Sequence, residues 1–119
     1  MINKLLIVGC GLIGSSILKK VCKKKIAKKI LVFEKSKKNQ RTLKRFKLKF
    51  QLIKKMDKKI SECDFIVICA PLSEYKKIFL ACNKYSKKNT LITDVGSAKR
   101  DAITKINRIK RKDINWISS

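Results

Sequence analysis

The stretch Gly9-Cys10-Gly11-Leu12-Ile13-Gly14 decides the fold, because it follows an apolar run and opens a segment of helical periodicity. In such a loop the first glycine permits a sharp turn off a strand and the second lets the backbone approach a pyrophosphate. The third lets the next helix pack closely on that strand. A helix that begins near Leu12 would point the free N–H groups of its first turn, which includes Ile13, at the phosphates. The positive end of its dipole would face them as well. The loop therefore predicts a dinucleotide site.

An acidic residue stands where the second strand of such a site should end. Glu34 lies twenty positions after the last glycine of the loop, and there it would accept hydrogen bonds from the adenosine ribose hydroxyls and repel a 2′-phosphate. This favours NAD. NADP stays open, because Lys35, Lys37 and Lys38 follow at once and a lysine here could neutralise Glu34 or hold a 2′-phosphate. For Lys37 and Lys38 the favoured interpretation is a solvated helix start.

Short apolar runs alternate with longer lysine-rich segments of helical period along the rest of the chain, a pattern typical of βαβ units around a parallel sheet. The runs predict strands over residues 4–8, 30–34, 50–53, 64–69, 90–93 and 115–117. Apolar faces of helices are predicted at residues 14, 17, 18 and 21, at 75, 78, 79 and 82, and at 102, 103, 106 and 109. Pro71 should stop the fourth strand, and Ser73 should cap the next helix. The expected fold class is α/β, a Rossmann-type doubly wound parallel sheet forming a single dinucleotide-binding domain over residues 1–119.

The chain carries a net charge of +24 over 119 residues, which raises the possibility of a nucleic-acid partner. Only five of the 32 basic residues are arginine, the side chain that reads bases and phosphates bidentately. Lysine is spread over every predicted helix instead of clustering on one, as expected for an A- and T-biased coding sequence. We therefore expect no specific nucleic-acid partner. A nucleic-acid-binding protein remains a rival interpretation, and it would show tight binding with a steep salt dependence.

Five cysteines show neither CxxC spacing nor an accompanying histidine, since the chain contains none. An odd count argues against a disulfide framework and favours a reduced cytoplasm, with no metal site. Cys69 and Cys82 lie in apolar runs, where cysteine behaves as a small hydrophobe. No run is long enough to span a bilayer and no signal peptide opens the chain, so we expect a cytoplasmic protein without a membrane partner.

Three motifs in this order resemble the nucleotide-binding half of the prephenate dehydrogenase family. They are Gly11-Leu12-Ile13-Gly14-Ser15-Ser16 in the glycine loop, the run from Asp64 to Pro71, and the turn Thr93-Asp94-Val95-Gly96-Ser97-Ala98-Lys99. The turn discriminates most, because related reductases and hydroxyacid dehydrogenases share the glycine loop but usually lack it. The resemblance runs from end to end of the chain.

The resemblance implies roles for residues that follow the fourth and fifth strands. Ser97 should lie near the nicotinamide and the substrate's ring hydroxyl, where it orients the reacting groups, although a helix cap is the alternative role. Ala70 and Pro71 should border the nicotinamide ribose. Asp94 is expected to be structural, and Lys99 either helps to hold an acidic substrate or supports the local fold.

The activity implied is oxidative decarboxylation of prephenate to 4-hydroxyphenylpyruvate in tyrosine biosynthesis, with hydride transfer to NAD or NADP. In the family a histidine of a His-Pro motif takes the hydroxyl proton, and a helical domain makes the dimer and supplies an arginine for the substrate. The chain has no histidine, so we expect a truncated and nearly inactive cofactor half of a homodimeric enzyme. The alternatives are arogenate dehydrogenase, a neighbouring β-hydroxyacid dehydrogenase or imine reductase, and a stand-alone NAD-binding module without catalysis.

Overall fold

A computed structural model of the chain describes residues 2–94 and 115–118. It contains one six-stranded sheet in the order β3-β2-β1-β4-β5-β6, in which every neighbouring pair is parallel. The strands are β1 Ile2–Val8, β2 Ala27–Phe33, β3 Gln51–Ile53, β4 Phe65–Ile68, β5 Leu91–Asp94 and β6 Asn115–Ser118. This order and the helices between the strands confirm the predicted α/β fold of Rossmann type.

The central strand β1 explains why the sheet needs cover on both faces. Its residues from Leu5 to Val8 are all buried, and successive side chains of a strand point to opposite faces. Leu5 and Ile7 join one apolar cluster, whereas Leu6 and Val8 join the other. A strand without a polar face is stable only between two layers, as in parallel sheets generally.

Helices cover both faces of the sheet. They are α1 Leu12–Lys24, α2 Lys37–Arg45 and α3 Tyr75–Tyr85. The first two bury Leu18, Val21 and Leu43 in the cluster that contains Leu5. The third buries Tyr75, Ile78, Phe79 and Cys82 in the cluster that contains Leu6. The predicted apolar faces of α1 and α3 are thus the faces that pack on the sheet, and Cys82 is a core residue as expected.

The structure differs from the sequence-based expectations at element ends. Strand bounds move by up to three residues, and 3₁₀ helices that were not predicted span Lys58–Glu62 and Leu72–Glu74. The predicted cap at Ser73 is wrong, because this residue lies inside the second 3₁₀ helix and α3 begins after Glu74, without a side-chain cap. The chain turns there through a bond from the Glu74 N–H to the Pro71 carbonyl. The helix predicted around residues 102–109 lies outside the described residues.

The strand order places a binding crevice at one edge of the sheet. The strand β1 lies between β2 and β4, with Val8 aligned to Phe33 on one side and to Ile68 on the other. From β1 the chain adds β2 and β3 on one side and then crosses to add β4, β5 and β6 on the other side. The strand order therefore reverses at β1. In open α/β sheets, ligands bind beyond the carboxyl ends of the strands at such a reversal.

Candidate functional site

The glycine loop leaves β1 at that carboxyl edge, and two of its glycines are required by contacts within the protein. Gly9 has a φ of +87°, and a Cβ on it would lie 2.8 Å from the Cα of Ala70. A Cβ on Gly14 would lie 2.1 Å from the Gly9 carbonyl oxygen. No side chain fits at either position. The missing side chain of Gly14 therefore lets α1 lie close to the loop, as predicted, and that of Gly9 lets the loop lie against Ala70, a contact that was not predicted.

Gly11 differs from its two neighbours, because a Cβ there would meet no protein atom within 4 Å. No contact within the described part of the chain accounts for a glycine at this position. The open space in front of Gly11 instead fits a group outside the protein that approaches the backbone closely. A pyrophosphate is such a group.

The same open space lies before the first turn of α1. Gly11 is the N-cap of this helix and offers no side-chain hydrogen bond to it, and the first intrahelical bond of the turn runs from the Ser15 N–H to the Gly11 carbonyl at 2.9 Å. The N–H groups of Leu12, Ile13 and Gly14 therefore lack an intrahelical acceptor. The side chains of Leu12 and Ile13 are 91% and 55% exposed. A helix start without a side-chain cap is suited to an anion by its free N–H groups and its dipole.

Glu34 follows β2 directly and is buried beside the loop, with only 8% of its surface exposed. One carboxylate oxygen accepts from the Cys10 N–H at 2.5 Å and the other from the Ser36 N–H at 2.8 Å. The Gln40 side chain donates to the Glu34 carbonyl at 2.6 Å. A carboxylate offers about four acceptor sites, so roughly two stay free for ribose hydroxyls. The structure thus brings Glu34 to the glycine loop and fixes it there.

The lysines beyond Glu34 lie in different surroundings. The Lys35 ammonium is 2.7 Å from a Glu74 carboxylate oxygen, and so pairs with that residue instead of neutralising Glu34. Lys37 and Lys38 are exposed in the first turn of α2, where Ser36 caps the helix by accepting from the Asn39 N–H. They form the solvated helix start that the sequence favoured.

Residues after β4 complete the wall of the crevice. The Cys69 N–H donates to the Val8 carbonyl at 2.7 Å and extends the pairing of β4 with β1. Ala70 then lies against Gly9, as the close approach of its backbone shows. Pro71 is exposed and turns the chain toward α3. Ala70 is therefore beside the glycine loop at the carboxyl edge, and Pro71 is the next residue along the chain.

A buried tyrosine near this edge was not singled out from the sequence as part of the site. Tyr75 opens α3 and lies near Asp94, the last residue of β5. Burial raises the pKa of Tyr75 well above its ordinary value, and the nearby Asp94 carboxylate raises it further. No local sequence signal indicates this proximity, because the two residues belong to separate elements. Of the predicted turn only Thr93 and Asp94 are described; Ser97 and Lys99 lie outside the described residues.

The thiols of Cys10, in the glycine loop, and of Cys69, just after β4, pack in the apolar cluster that contains Leu5 and are neutral. Burial raises the pKa of Cys10 and of Cys69 to about 12, so both are protonated at neutral pH and add no negative charge beside the glycine loop. In the described ranges, 2–94 and 115–118, no three side chains of histidine, cysteine, aspartate or glutamate group as metal ligands. No helix within those ranges is long and apolar enough to cross a membrane.

Comparison with known families identifies what this arrangement resembles. The family described as "Prephenate dehydrogenase, nucleotide-binding domain" matches residues 16–119. A search of curated protein sequences found no match.

Solved structures share the fold at low sequence identity. Prephenate dehydrogenase from A. aeolicus, in complex with hydroxyphenyl propionate and NAD+, is 19% identical with a TM-score of 0.81 over 96% of this chain and 40% of its own. An imine reductase from Myxococcus stipitatus in complex with NADP+ is 15% identical, with a TM-score of 0.75 over 98% of this chain and 40% of its own. Arogenate dehydrogenase from Synechocystis is 17% identical, with a TM-score of 0.72 over 89% and 37%. The chain thus spans about two fifths of the length of these proteins.

Proposed function

Because the chain belongs to the family of prephenate dehydrogenase nucleotide-binding domains, we propose that it is the cofactor-binding part of a prephenate dehydrogenase. In this proposal NAD binds at the carboxyl edge of the sheet and accepts a hydride from prephenate, which loses carbon dioxide to give 4-hydroxyphenylpyruvate in tyrosine biosynthesis. The observation that carries the proposal is Gly11, whose missing side chain faces open space before an uncapped helix.

The described residues would bind and orient the cofactor. The N–H groups of Leu12, Ile13 and Gly14 would donate to the pyrophosphate, for which the accessible helix start provides room. Glu34 would accept from the adenosine ribose hydroxyls with the acceptor sites that its two backbone bonds leave free. Its negative charge disfavours a second phosphate on that ribose, which supports NAD over NADP.

The nicotinamide would extend toward the ends of β4 and β5. Ala70 and Pro71 would border its ribose, in keeping with their place beside the glycine loop. Ser97 would orient the reacting groups near the substrate hydroxyl, and Lys99 would hold the acidic substrate. The chain contains no histidine, so the base of this proposal is a histidine supplied from outside these 119 residues. The complete enzyme would be a cytoplasmic homodimer.

Arogenate is the second candidate substrate, and the fold shared with arogenate dehydrogenase from Synechocystis favours retaining it. Arogenate carries an amino group where prephenate carries a keto oxygen. The cofactor site proposed above serves either substrate, since the hydride leaves the same ring carbon. A stand-alone NAD-binding module would use the same cofactor residues and lack only the reaction.

Exchange of Gly11 for leucine tests the placement of the pyrophosphate. We expect the variant to lose NAD binding in calorimetric titration, because its side chain fills the space that the phosphates need. Its free energy of unfolding in urea should stay within about 0.5 kcal/mol of the parent value, since a Cβ at this position meets no protein atom within 4 Å and the side chain starts into open space. Lys20→Leu is the control, because it places a leucine at another exposed position, further along α1, and it should still bind NAD.

Two results would contradict the proposal. If Gly11→Leu binds NAD as tightly as the parent chain, the pyrophosphate lies elsewhere. If the parent chain itself binds neither NAD nor NADP, the cofactor function fails altogether.

A further inference from the structure

One ion pair joins the two segments that flank the glycine loop. Lys35 comes two residues after β2, and Glu74 ends the 3₁₀ helix that follows β4. The two strands are the neighbours of β1 on its opposite sides. The pair of Lys35 and Glu74, with 2.7 Å between nitrogen and oxygen, therefore links both sides of the crevice.

The position of Lys35 in the chain means that its ion pair can affect which cofactor binds. Lys35 directly follows Glu34, the residue proposed to hold the adenosine ribose, so its ammonium is the cation next in sequence to the position of a 2′-phosphate. A free lysine at that position would attract such a phosphate as a point charge. In the structure the ammonium is instead held by a carboxylate from another element.

We propose that Glu74 is a specificity-determining residue for the cofactor, because it holds the Lys35 ammonium away from a 2′-phosphate and so favours NAD over NADP. The inference rests on the proposed function, since it concerns the same nucleotide site. It adds a residue that is distant in sequence from Glu34 and that determines whether the Lys35 ammonium is available to a 2′-phosphate.

The surroundings of the ion pair support a competition between the Glu74 carboxylate and a 2′-phosphate for the Lys35 ammonium. The Lys35 hydrogen bond lowers the pKa of Glu74 below its ordinary value of 4.5, so the carboxylate is charged at neutral pH. Lys35 is 70% exposed along its side chain, which leaves it free to swing toward another anion once Glu74 is neutral. Glu74 is less exposed, at 25%, and so provides the fixed end of the pair.

The test is the ratio of NADP to NAD affinity, measured by calorimetric titration of the 119-residue chain at low salt. Glu74→Gln keeps the size of the side chain and removes its charge. The strength of a surface ion pair predicts that the ratio rises about two- to fivefold, mainly through tighter NADP binding. An unchanged ratio would overturn the inference.

Glu62→Gln is the matched control. Glu62 also pairs with a lysine, Lys4, but at the opposite edge of the sheet, and its substitution changes the net charge by the same amount. It should leave the ratio unaltered. An equal rise in both variants would show a general effect of net charge and would overturn the role of Glu74.

A second substitution separates release of Lys35 from simple repulsion by Glu74. In a Lys35→Met background, Glu74→Gln should no longer raise the ratio, because no ammonium remains to be released. If the rise persists there, Glu74 acts through its own charge and the inference is wrong. Failure of the proposed function looks different, since then the parent chain binds neither dinucleotide and no ratio exists.

Discussion

The two edges of the sheet carry polar groups of the same kinds and use them differently. At the amino edge, Asp64 accepts from the N–H groups of Asn3 and Lys4 at 3.0 and 3.4 Å and pairs with Lys87. Glu62 pairs with Lys4. These side chains satisfy one another and tie the start of β1 to the start of β4. At the amino edge these side chains thus form a closed set of contacts, with one another and with the backbone, that stabilises the fold.

At the carboxyl edge, hydrogen-bonding capacity is left unused. Glu34 fixes the glycine loop through two backbone N–H groups and retains about two acceptor sites. The first turn of α1 has no side-chain cap, and Gly11 keeps the space in front of it open. The difference shows where to look for function in such a sheet: at the edge where a rigid scaffold presents donors and acceptors that the protein does not consume.

The largest effect on stability is expected at Gly14, where a contact within the protein leaves no room for a side chain. The comparison is with Gly11, where the protein leaves that room open. Gly14→Ala places a Cβ 2.1 Å from the Gly9 carbonyl oxygen, so the helix must move off the loop. We expect a loss of roughly 3 kcal/mol in the free energy of unfolding, measured in urea, as for overpacking of a tight contact. Gly11→Ala, whose Cβ meets no protein atom, is the control and should lose under about 0.5 kcal/mol. Equal losses in the two variants would show that the contact at Gly14 does not hold the helix.

Much of this edge could be predicted from the sequence, because its requirements are local. The spacing of Gly9, Gly11 and Gly14 after an apolar run specifies a strand, a tight turn and a helix start. The acid at Glu34 follows from the length of one βα unit. Each of these features depends on backbone geometry over a few residues, which the order of residue types records directly.

The rest could not be predicted, because it depends on which segments the fold brings together. Glu74 pairs with Lys35 across 39 positions, and Tyr75 meets Asp94 at the end of another strand. Nothing local distinguishes these acids from solvated surface residues. The error at Ser73 has a local origin instead. A 3₁₀ turn after Pro71 delays the start of α3, and the helical period alone does not fix the first residue of a helix.

A smaller effect is expected from Glu34→Gln, which changes the buried carboxylate at the carboxyl edge. The control is Glu62→Gln, which changes an exposed carboxylate at the amino edge. The amide has one oxygen, so either the Cys10 N–H or the Ser36 N–H faces an NH₂ group. We expect a loss of about 1–2 kcal/mol in the free energy of unfolding, the cost of one unsatisfied donor, together with weaker NAD binding. Glu62→Gln at the amino edge keeps NAD affinity and changes stability less. If Glu34→Gln matches the parent chain in both measurements, the carboxylate does not hold the loop.

The smallest expected effect concerns the closed contacts of the amino edge and appears as a pH dependence. The hydrogen bond from Lys87, with those from the Asn3 and Lys4 N–H groups, lowers the pKa of Asp64 below its ordinary value of 3.8. Its stabilising contribution is therefore present above that ordinary value and is lost as the pH falls through the lowered native one.

Because the Asp64 side chain is 31% exposed and that of its partner Lys87 is 45% exposed, solvent screens the ion pair, which should contribute less than about 1 kcal/mol. Asp64→Asn should accordingly make unfolding in urea less dependent on pH below pH 5, with little change in NAD affinity at neutral pH. Salt should reduce the difference between the variant and the parent chain, since exposed charges are screened. A large loss of NAD affinity in Asp64→Asn would contradict the division between the edges, because it would couple the amino-edge contacts to the glycine loop at the other end of β1.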